Sequence, residues 1–260
     1  FSLFHLNARS LSNKEDEIET MLETFGVPFD VLMFTETWYT EQSCTFELPG
    51  YQSLFRHRTE KKGGGVGILV KKHIECEIID EFTAITADYE VLSLRSGSTV
   101  FSVCYRPPSG SAQRYLSFID SFLAYGNAHN LDTILGGDVN VNLLVSTSIS
   151  NELQTIISAN GFINTITRLT RVTSTCESLL DIFITNMNSD LIFGDVIITD
   201  IADHFGIFML VRKNCSISKT PKEQHFTQVI TQRQLERFRS SISQQTWEST
   251  YESNDSDMAY

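Results

Sequence analysis

The chain has 260 residues, 41% of them hydrophobic and 18 of them Phe, which is enough apolar material for one large core and too much for a disordered chain. Its net charge of −12 argues against a generic polyanion-binding surface, because acidic surfaces repel phosphate. No apolar run reaches membrane-spanning length, and the five cysteines (Cys44, Cys76, Cys104, Cys176, Cys215) show no C-x-x-C spacing, which speaks against structural zinc or a disulfide framework and for a reduced, intracellular setting.

Residues 1–7 read as a first strand, and the chain opens inside this run without a charged leader or initiator Met, so it is expected to be a piece of something longer. Leu11 to Phe25 reads as an amphipathic helix with Asn13 as N-cap and acidic residues in its early turns, stopped by Gly26-Val27-Pro28. A strand over 30–36 follows, then an irregular, aromatic-bearing segment through Pro49-Gly50-Tyr51. Arg56 to Lys62 is expected to be an exposed basic loop, and Gly63-Gly64-Gly65 leads into a strand over 66–71 without the Gly-Lys-Ser/Thr of a P-loop.

Short strands over 74–79, 90–95 and 99–105 alternate apolar and polar residues. Pro107-Pro108-Ser109-Gly110 ends the last of them and opens a helix over 112–125. A strand over 132–137, a helix over 150–160, a Thr/Arg/Ser-rich loop over 165–178 and strands over 179–185, 191–197 and 206–212 complete the pattern. Few helices and many short strands of mixed direction predict an α/β sandwich of two packed sheets flanked by helices. From Lys213 onward Ser, Thr and Gln dominate, with Leu235, Phe238, Ile242 and Trp247 spaced for one loose helix, so 213–260 reads as a linker toward a missing neighbour.

Charge is unevenly spread. Six basic and six acidic side chains fall in 213–260, so the 14 basic and 26 acidic ones in 1–212 account for the whole −12. Six of those 14 lie between Arg56 and Lys72 (Arg56, Arg58, Lys61, Lys62, Lys71, Lys72), a local basic ridge beside an acidic domain.

The stretch Ile134-Leu135-Gly136-Gly137-Asp138-Val139-Asn140-Val141-Asn142 ends an aliphatic run in two glycines and puts Asp138 and Asn140 on one face of an extended chain. Taken singly this is equally an Asx turn. Other runs stop the same way, at Asn7, at Glu36, at Tyr105-Arg106 and at Asp181, while Asp203-His204 precedes the run 205–211. If that last strand is antiparallel to the others, its start lies at their ends, and one edge collects Asn7, Glu36, Tyr105, Asp138, Asn140, Asp181, Asp203 and His204.

With these residues aligned, the chain resembles the endonuclease/exonuclease/phosphatase superfamily, and within it the apurinic-like endonuclease domain of non-LTR retrotransposons. The matching segments, in the family's order, are Leu6-Asn7-Ala8-Arg9-Ser10-Leu11, Thr35-Glu36-Thr37-Trp38, Gly64-Gly65-Val66-Gly67-Ile68, Tyr105-Arg106-Pro107-Pro108, Gly137-Asp138-Val139-Asn140, Leu180-Asp181 and Asp203-His204. The resemblance covers about residues 1–212 and implies a DNase I-like four-layer α/β/β/α sandwich of two mixed, mainly antiparallel sheets. It further implies a Mg²⁺-dependent phosphodiesterase, with Mn²⁺ as a substitute, that nicks double-stranded DNA in the nucleus. The nick leaves a 3′-hydroxyl that primes a covalently linked reverse transcriptase, to which the tail with Phe238, Trp247 and Asp257-Met258-Ala259-Tyr260 would connect.

In that reading Glu36 is a hard oxygen ligand for Mg²⁺ and Asp203 the second candidate ligand. Asp138 positions or deprotonates the water or protonates the leaving group, His204 oriented by Asp181 holds a phosphate oxygen or shares in proton transfer, and Asn7, Asn140 and Tyr105 donate to phosphate oxygens. Arg56, Arg58, Lys61, Lys62, Arg106, Arg171, Thr173 and Ser178 are the expected DNA contacts. Two positions depart from the family pattern: Arg9 stands where the apurinic-repair relatives carry an acid, which favours general nicking over abasic-site repair, and Ala202 stands where Ser is usual. Two other readings are a same-fold phosphodiesterase acting on a lipid or inositol phosphate and a catalytically silent copy that only binds nucleic acid.

Overall fold

Alternation of side chains along the strands sorts them onto two faces of each sheet, and here both faces are apolar, so each sheet is covered on both sides. The computed structural model describes residues 1–26, 28–43, 45–59, 63–173, 175–212, 239–240 and 242–244. Its elements are β1 (Ser2–Asn7), α1 (Glu15–Phe25), β2 (Val31–Thr35), β3 (Tyr51–Arg56), β4 (Val66–Lys71), β5 (Glu77–Ile78), β6 (Ala84–Ile85), β7 (Glu90–Ser96), β8 (Thr99–Tyr105) and α2 (Ala112–Ala128). They continue with β9 (Asp132–Asp138), α3 (Ser148–Ala159), β10 (Ile163–Asn164), β11 (Arg171–Val172), β12 (Glu177–Ser178), β13 (Asp181–Thr185), β14 (Ile192–Ile197) and β15 (Gly206–Val211).

One sheet runs β14-β15-β1-β2-β4-β3 and the other β10-β13-β9-β8-β7-β5, with β6 paired to β7. Only β1/β2 and β8/β9 are parallel among these neighbours; the remaining pairs are antiparallel. The fold is the expected DNase I-like α/β sandwich of two mixed sheets with helices. Leu3, Val31, Met33, Ile68, Phe101, Val103, Ile134, Phe183, Ile207 and Met209 fill the layer between the sheets. Ile18 of α1 packs with Phe4, Leu6, Leu32 and Phe34 on the outer face of the first sheet. Residues of α2 and α3, among them Tyr115, Ile119, Phe122, Leu153 and Ile157, cover Val100, Cys104, Leu135 and Ile182 on the outer face of the second.

Several boundaries differ from expectation for local reasons. Asn13 turns left-handed (φ 69°), so the helix is entered from Lys14, without a side-chain cap. Residues 51–56 form β3, a strand at the sheet edge whose six residues are all half-buried, a pattern with no apolar alternation to reveal it. Its presence makes Arg56 the last strand residue instead of the start of a loop. The expected strand over 74–79 contracts to Glu77–Ile78.

Contacts group the chain into two units, Phe1–Ser216 and Ile217–Tyr260. In the second, residues 239–240 and 242–244 are helical, and the rest of the expected 213–260 linker lies outside the described residues. Among the described residues no helix is long and apolar enough to cross a membrane.

Candidate active site

The strand register assembles the site. Parallel pairing sets Asn7 beside Thr35, so Glu36 follows directly at the end of β2. In the second sheet Asp138 is the register partner of both Tyr105 on β8 and Asp181 on β13. β15 is antiparallel to β1, so Asp203 and His204, just before it, arrive at the same edge, where His204 bridges Arg171. The expected convergence of strand ends therefore holds.

The glycines before Asp138 are sterically required. A Cβ on Gly136 would meet the Phe183 ring at 2.4 Å, and one on Gly137, with φ 146°, would meet the Cys104 carbonyl oxygen at 1.8 Å. Beyond the strand ends the backbone turns left-handed at Glu36 (φ 52°), Trp38 (φ 58°) and Asn140 (φ 49°), costly conformations for residues with side chains and ones that cluster at functional sites.

Asn7 joins the two sheets. Its Nδ2 donates to Glu36 Oε1 at 3.0 Å and to Asp138 Oδ2 at 2.8 Å. Asp138 also accepts from the Asn140 backbone N–H at 2.9 Å and from Asn140 Nδ2 at 3.2 Å. Burial first, and the charge of Asp181 second, push the Asp138 carboxyl well above the usual carboxylate range, against the hydrogen bonds from Asn140 and Asn7. Glu36 takes Trp38 Nε1 on its other oxygen at 3.2 Å. The Tyr105 hydroxyl hydrogen-bonds Glu36, and burial together with the Glu36 and Asp138 charges drives its pKa upward, so it stays a donor.

His204 Nδ1 lies 2.8 Å from Asp181 Oδ2, which leaves Nε2 as its free ring nitrogen. Burial alone would lower its pKa, but Asp181, by charge and by hydrogen bond, and then Asp138 and Asp203 raise it to about 9, so the ring is charged at neutral pH. Thr170, with no sequence signal of its own, supports this dyad: its buried hydroxyl accepts from the backbone N–H groups of Leu180 (3.0 Å) and Asp181 (3.1 Å).

Asp203 is differently placed. Its Oδ2 accepts from Arg171 Nη2 at 2.8 Å and Nε at 3.1 Å and from Arg9 Nη1 at 3.3 Å, while its buried Oδ1 has no hydrogen-bond partner among the described residues. Arg9, in the sequence only a departure from the family pattern, thus reaches the site edge, because its own strand ends beside β15.

Donor chemistry tests the fit of a divalent cation. Asp138, Asp181 and His204 offer three ligand atoms within 4.8 Å of one another, but the His204–Asp181 hydrogen bond and the charged imidazole put a proton where a cation would compete. Glu36 accepts from the neutral donors Asn7 and Trp38 and is the better hard-oxygen ligand, with the bare Oδ1 of Asp203 as a second. Oxygen donors of this kind fit Mg²⁺.

The expected DNA contacts divide. Arg106 is 7% exposed, and its guanidinium donates to the carbonyls of Val139 (2.8 Å), Gly110 (2.9 Å) and Asn140 (2.6 Å), so it braces the loop after β9 instead of facing DNA. Arg58 ion-pairs with the buried Glu90, which also accepts from the Gly65 N–H. Ser178 is buried in the β11/β12 pair, and Thr173 closes that hairpin by bonding Cys176. Arg56 is half-buried, with Nη1 on the Phe55 carbonyl, and Arg171 stands at the site edge. Lys61 and Lys62 lie outside the described residues.

The sequence profile of the Endonuclease/Exonuclease/phosphatase family matches residues 3–186. Among solved structures, the endonuclease domain of TRAS1, a telomere-specific non-LTR retrotransposon, superposes with a TM-score of 0.64 at 16% identity over 82% of this chain and 98% of its own. The 3′-5′ exonuclease NExo from Neisseria meningitidis gives 0.66 at 11% over 82% and 100%. An AP endonuclease from Archaeoglobus fulgidus gives 0.60 at 14% over 81% and 99%. No curated protein sequence matches. The profile match spans most of the chain and agrees with the two-sheet architecture, and the chain belongs to the Endonuclease/Exonuclease/phosphatase family.

Proposed function

We propose that the protein is a Mg²⁺-dependent DNA endonuclease, which nicks target DNA in the nucleus to leave a 3′-hydroxyl that primes a reverse transcriptase on the same polypeptide. The observation that carries this reading is the meeting of the Glu36 carboxylate with the Asp138 and Asp181–His204 group across Asn7, at one edge of both sheets. The fold likeness to the TRAS1 endonuclease domain supports the retrotransposon part of it.

Hydrolysis of a phosphodiester needs an aligned water, charge neutralisation at phosphorus and stabilisation of the leaving oxygen. Mg²⁺ held by Glu36, with Asp203 Oδ1 in support, would neutralise charge on the phosphoryl oxygens and the leaving oxygen. Asp138, held by Asn7 and Asn140 and raised toward neutrality, is matched to accept the proton of the attacking water. His204, charged and fixed through Nδ1 by Asp181, presents Nε2–H to a non-bridging oxygen. Tyr105, now bonded to Glu36, and Asn140, now donating to Asp138 and the Arg106 carbonyl, are neutral donors that would have to turn to a phosphate oxygen. Arg9 and Arg171, now converging on one carboxylate oxygen, are placed to transfer to a phosphate oxygen, which offers the same acceptor chemistry. Contacts of this kind go to the DNA backbone, so they position the duplex without reading its sequence.

Relaxation of supercoiled plasmid by the purified chain, with Mg²⁺ and with EDTA, alongside Glu36→Ala and His204→Ala, tests the proposal. Nicked circles should form only with Mg²⁺ and only with the wild type. A folded wild-type protein as inert as both variants sinks it.

A further inference from the structure

In the apolar layer between the sheets, two polar side chains face each other without satisfying each other. His5 is fully buried on β1, on the same face as Leu3 and Asn7, one step inward from the site. Its Nδ1 has no hydrogen-bond partner among the described residues, and neither has Oδ1 of the fully buried Asp181; the two atoms are 3.8 Å apart. His5 Nε2 is 3.2 Å from the Thr35 hydroxyl.

Two unsatisfied buried atoms of complementary character demand an explanation, because each costs about 1–3 kcal/mol when left alone. Asp181 has a symmetric carboxylate on a soft, two-fold torsion, so nothing in its bond to His204 alone dictates which oxygen faces the imidazole. A donor behind the other oxygen removes that freedom. At 3.8 Å the separation exceeds the upper limit of a direct N–H···O hydrogen bond by about 0.6 Å, a gap that rotation of the two side chains toward each other closes.

We propose that His5 is a positioning residue: its Nδ1–H is directed at Asp181 Oδ1 from beneath the site, so that Asp181 is gripped from both sides and holds His204 in one orientation. This rests on the phosphodiesterase reading of the site. The arrangement fixes the tautomer. A carboxylate only accepts, so Nδ1 carries the proton and Nε2 accepts from the Thr35 hydroxyl. Burial first, and the neighbouring His204 charge against the pull of Asp181, lower the His5 pKa to about 4, which keeps it a neutral single donor. Thr35 precedes Glu36, so the same bond ties the histidine to the strand end that presents the Glu36 carboxylate.

The test has two independent parts. In ¹⁵N-labelled protein, the His5 ring nitrogen shifts should report the Nδ1–H tautomer; an Nε2–H tautomer or an imidazolium overturns the proposal whatever the activity. In plasmid nicking, His5→Leu and His5→Gln should each lower kcat roughly 10- to 100-fold with KM within about threefold, the size expected of a lost orienting bond. His5→Asn, whose amide N–H sits where Nδ1 was, should recover most of that loss. Losses that are equal in all three variants and track their melting temperatures show a merely structural histidine and overturn it. A wild-type protein that does not nick removes the proposed function, and the tautomer alone then decides the place of His5.

Discussion

Glu90 and Asp181 are both fully buried carboxylates in the second sheet, yet they are built for opposite ends. Glu90 sits opposite Tyr105 with both oxygens engaged, one by Arg58 and one by the Gly65 N–H, and it clamps the turn that leads into β4. Asp181 has one oxygen on His204 and the other on no partner within hydrogen-bond distance among the described residues. A satisfied buried charge rigidifies; an incompletely satisfied one is held in readiness, at a cost that the surrounding fold must bear. On the proposed function, this difference separates a structural acid, Glu90, from one that serves the reaction, Asp181.

The largest expected effect lies on the reactive side. Asp138→Asn and His204→Ala should each lower nicking by roughly 10³-fold, the range for loss of a positioned acid or base; both Asp138 oxygens accept from N–H groups, so the amide should also lower the melting temperature. Nicking by Asp138→Asn within about tenfold of the wild type would place Asp138 with Glu90. On the structural side, Arg58→Ala strands a buried charge and should cost about 3–5 kcal/mol in denaturant unfolding. A loss below about 1 kcal/mol, the range of surface pairs, would mean that Arg58 is free to serve DNA as its charge alone suggests.

Titration sharpens the comparison. His204 has its pKa raised to about 9, so its stabilising charge is fully present below the unfolded value near 6.5 and is lost as pH rises through about 9. Stability of the wild type should therefore decline between those limits by at most about 3 kcal/mol, and His204→Asn should abolish that slope. An unchanged slope in the variant would assign the decline elsewhere. A smaller, condition-dependent effect is expected from Mg²⁺, which should raise the melting temperature of the wild type by mass action, about 2–3 kcal/mol at a hundredfold excess over Kd, and do so less for Glu36→Ala. Equal shifts in both would remove Glu36 from the cation. Thr170→Val, which takes away the acceptor for two buried backbone N–H groups behind Asp181, should cost about 2–6 kcal/mol in denaturant unfolding, and a loss under about 1 kcal/mol would mean that the hydroxyl does not hold them.

Much of the site is legible in the order of residues alone. Asn7, Glu36, Tyr105, Asp138 and Asp181 each end or begin an apolar run, and a polar residue at that place is visible from alternation. Legibility stops where local patterns carry no information about partners. The edge strand β3 has six half-buried residues and no alternation, so its sequence reads as irregular chain. Arg106 and Arg58 resemble DNA contacts in the sequence because charge is written there without burial; the fold commits one to three carbonyls and the other to Glu90.

The two-sheet class, the order of the long central strands and the chemical types gathered at their ends follow from the sequence, because periodicity and strand punctuation are local properties of the backbone, whereas the edge strand β3 and the two-residue strands β6, β10, β11 and β12 do not. Which charges meet is a matter of tertiary packing. Arg9 and Arg171 reach Asp203 across 194 and 32 residues of chain, and His5 lies beneath Asp181, because sheet register and the closing of two sheets on one layer are set between segments far apart in sequence.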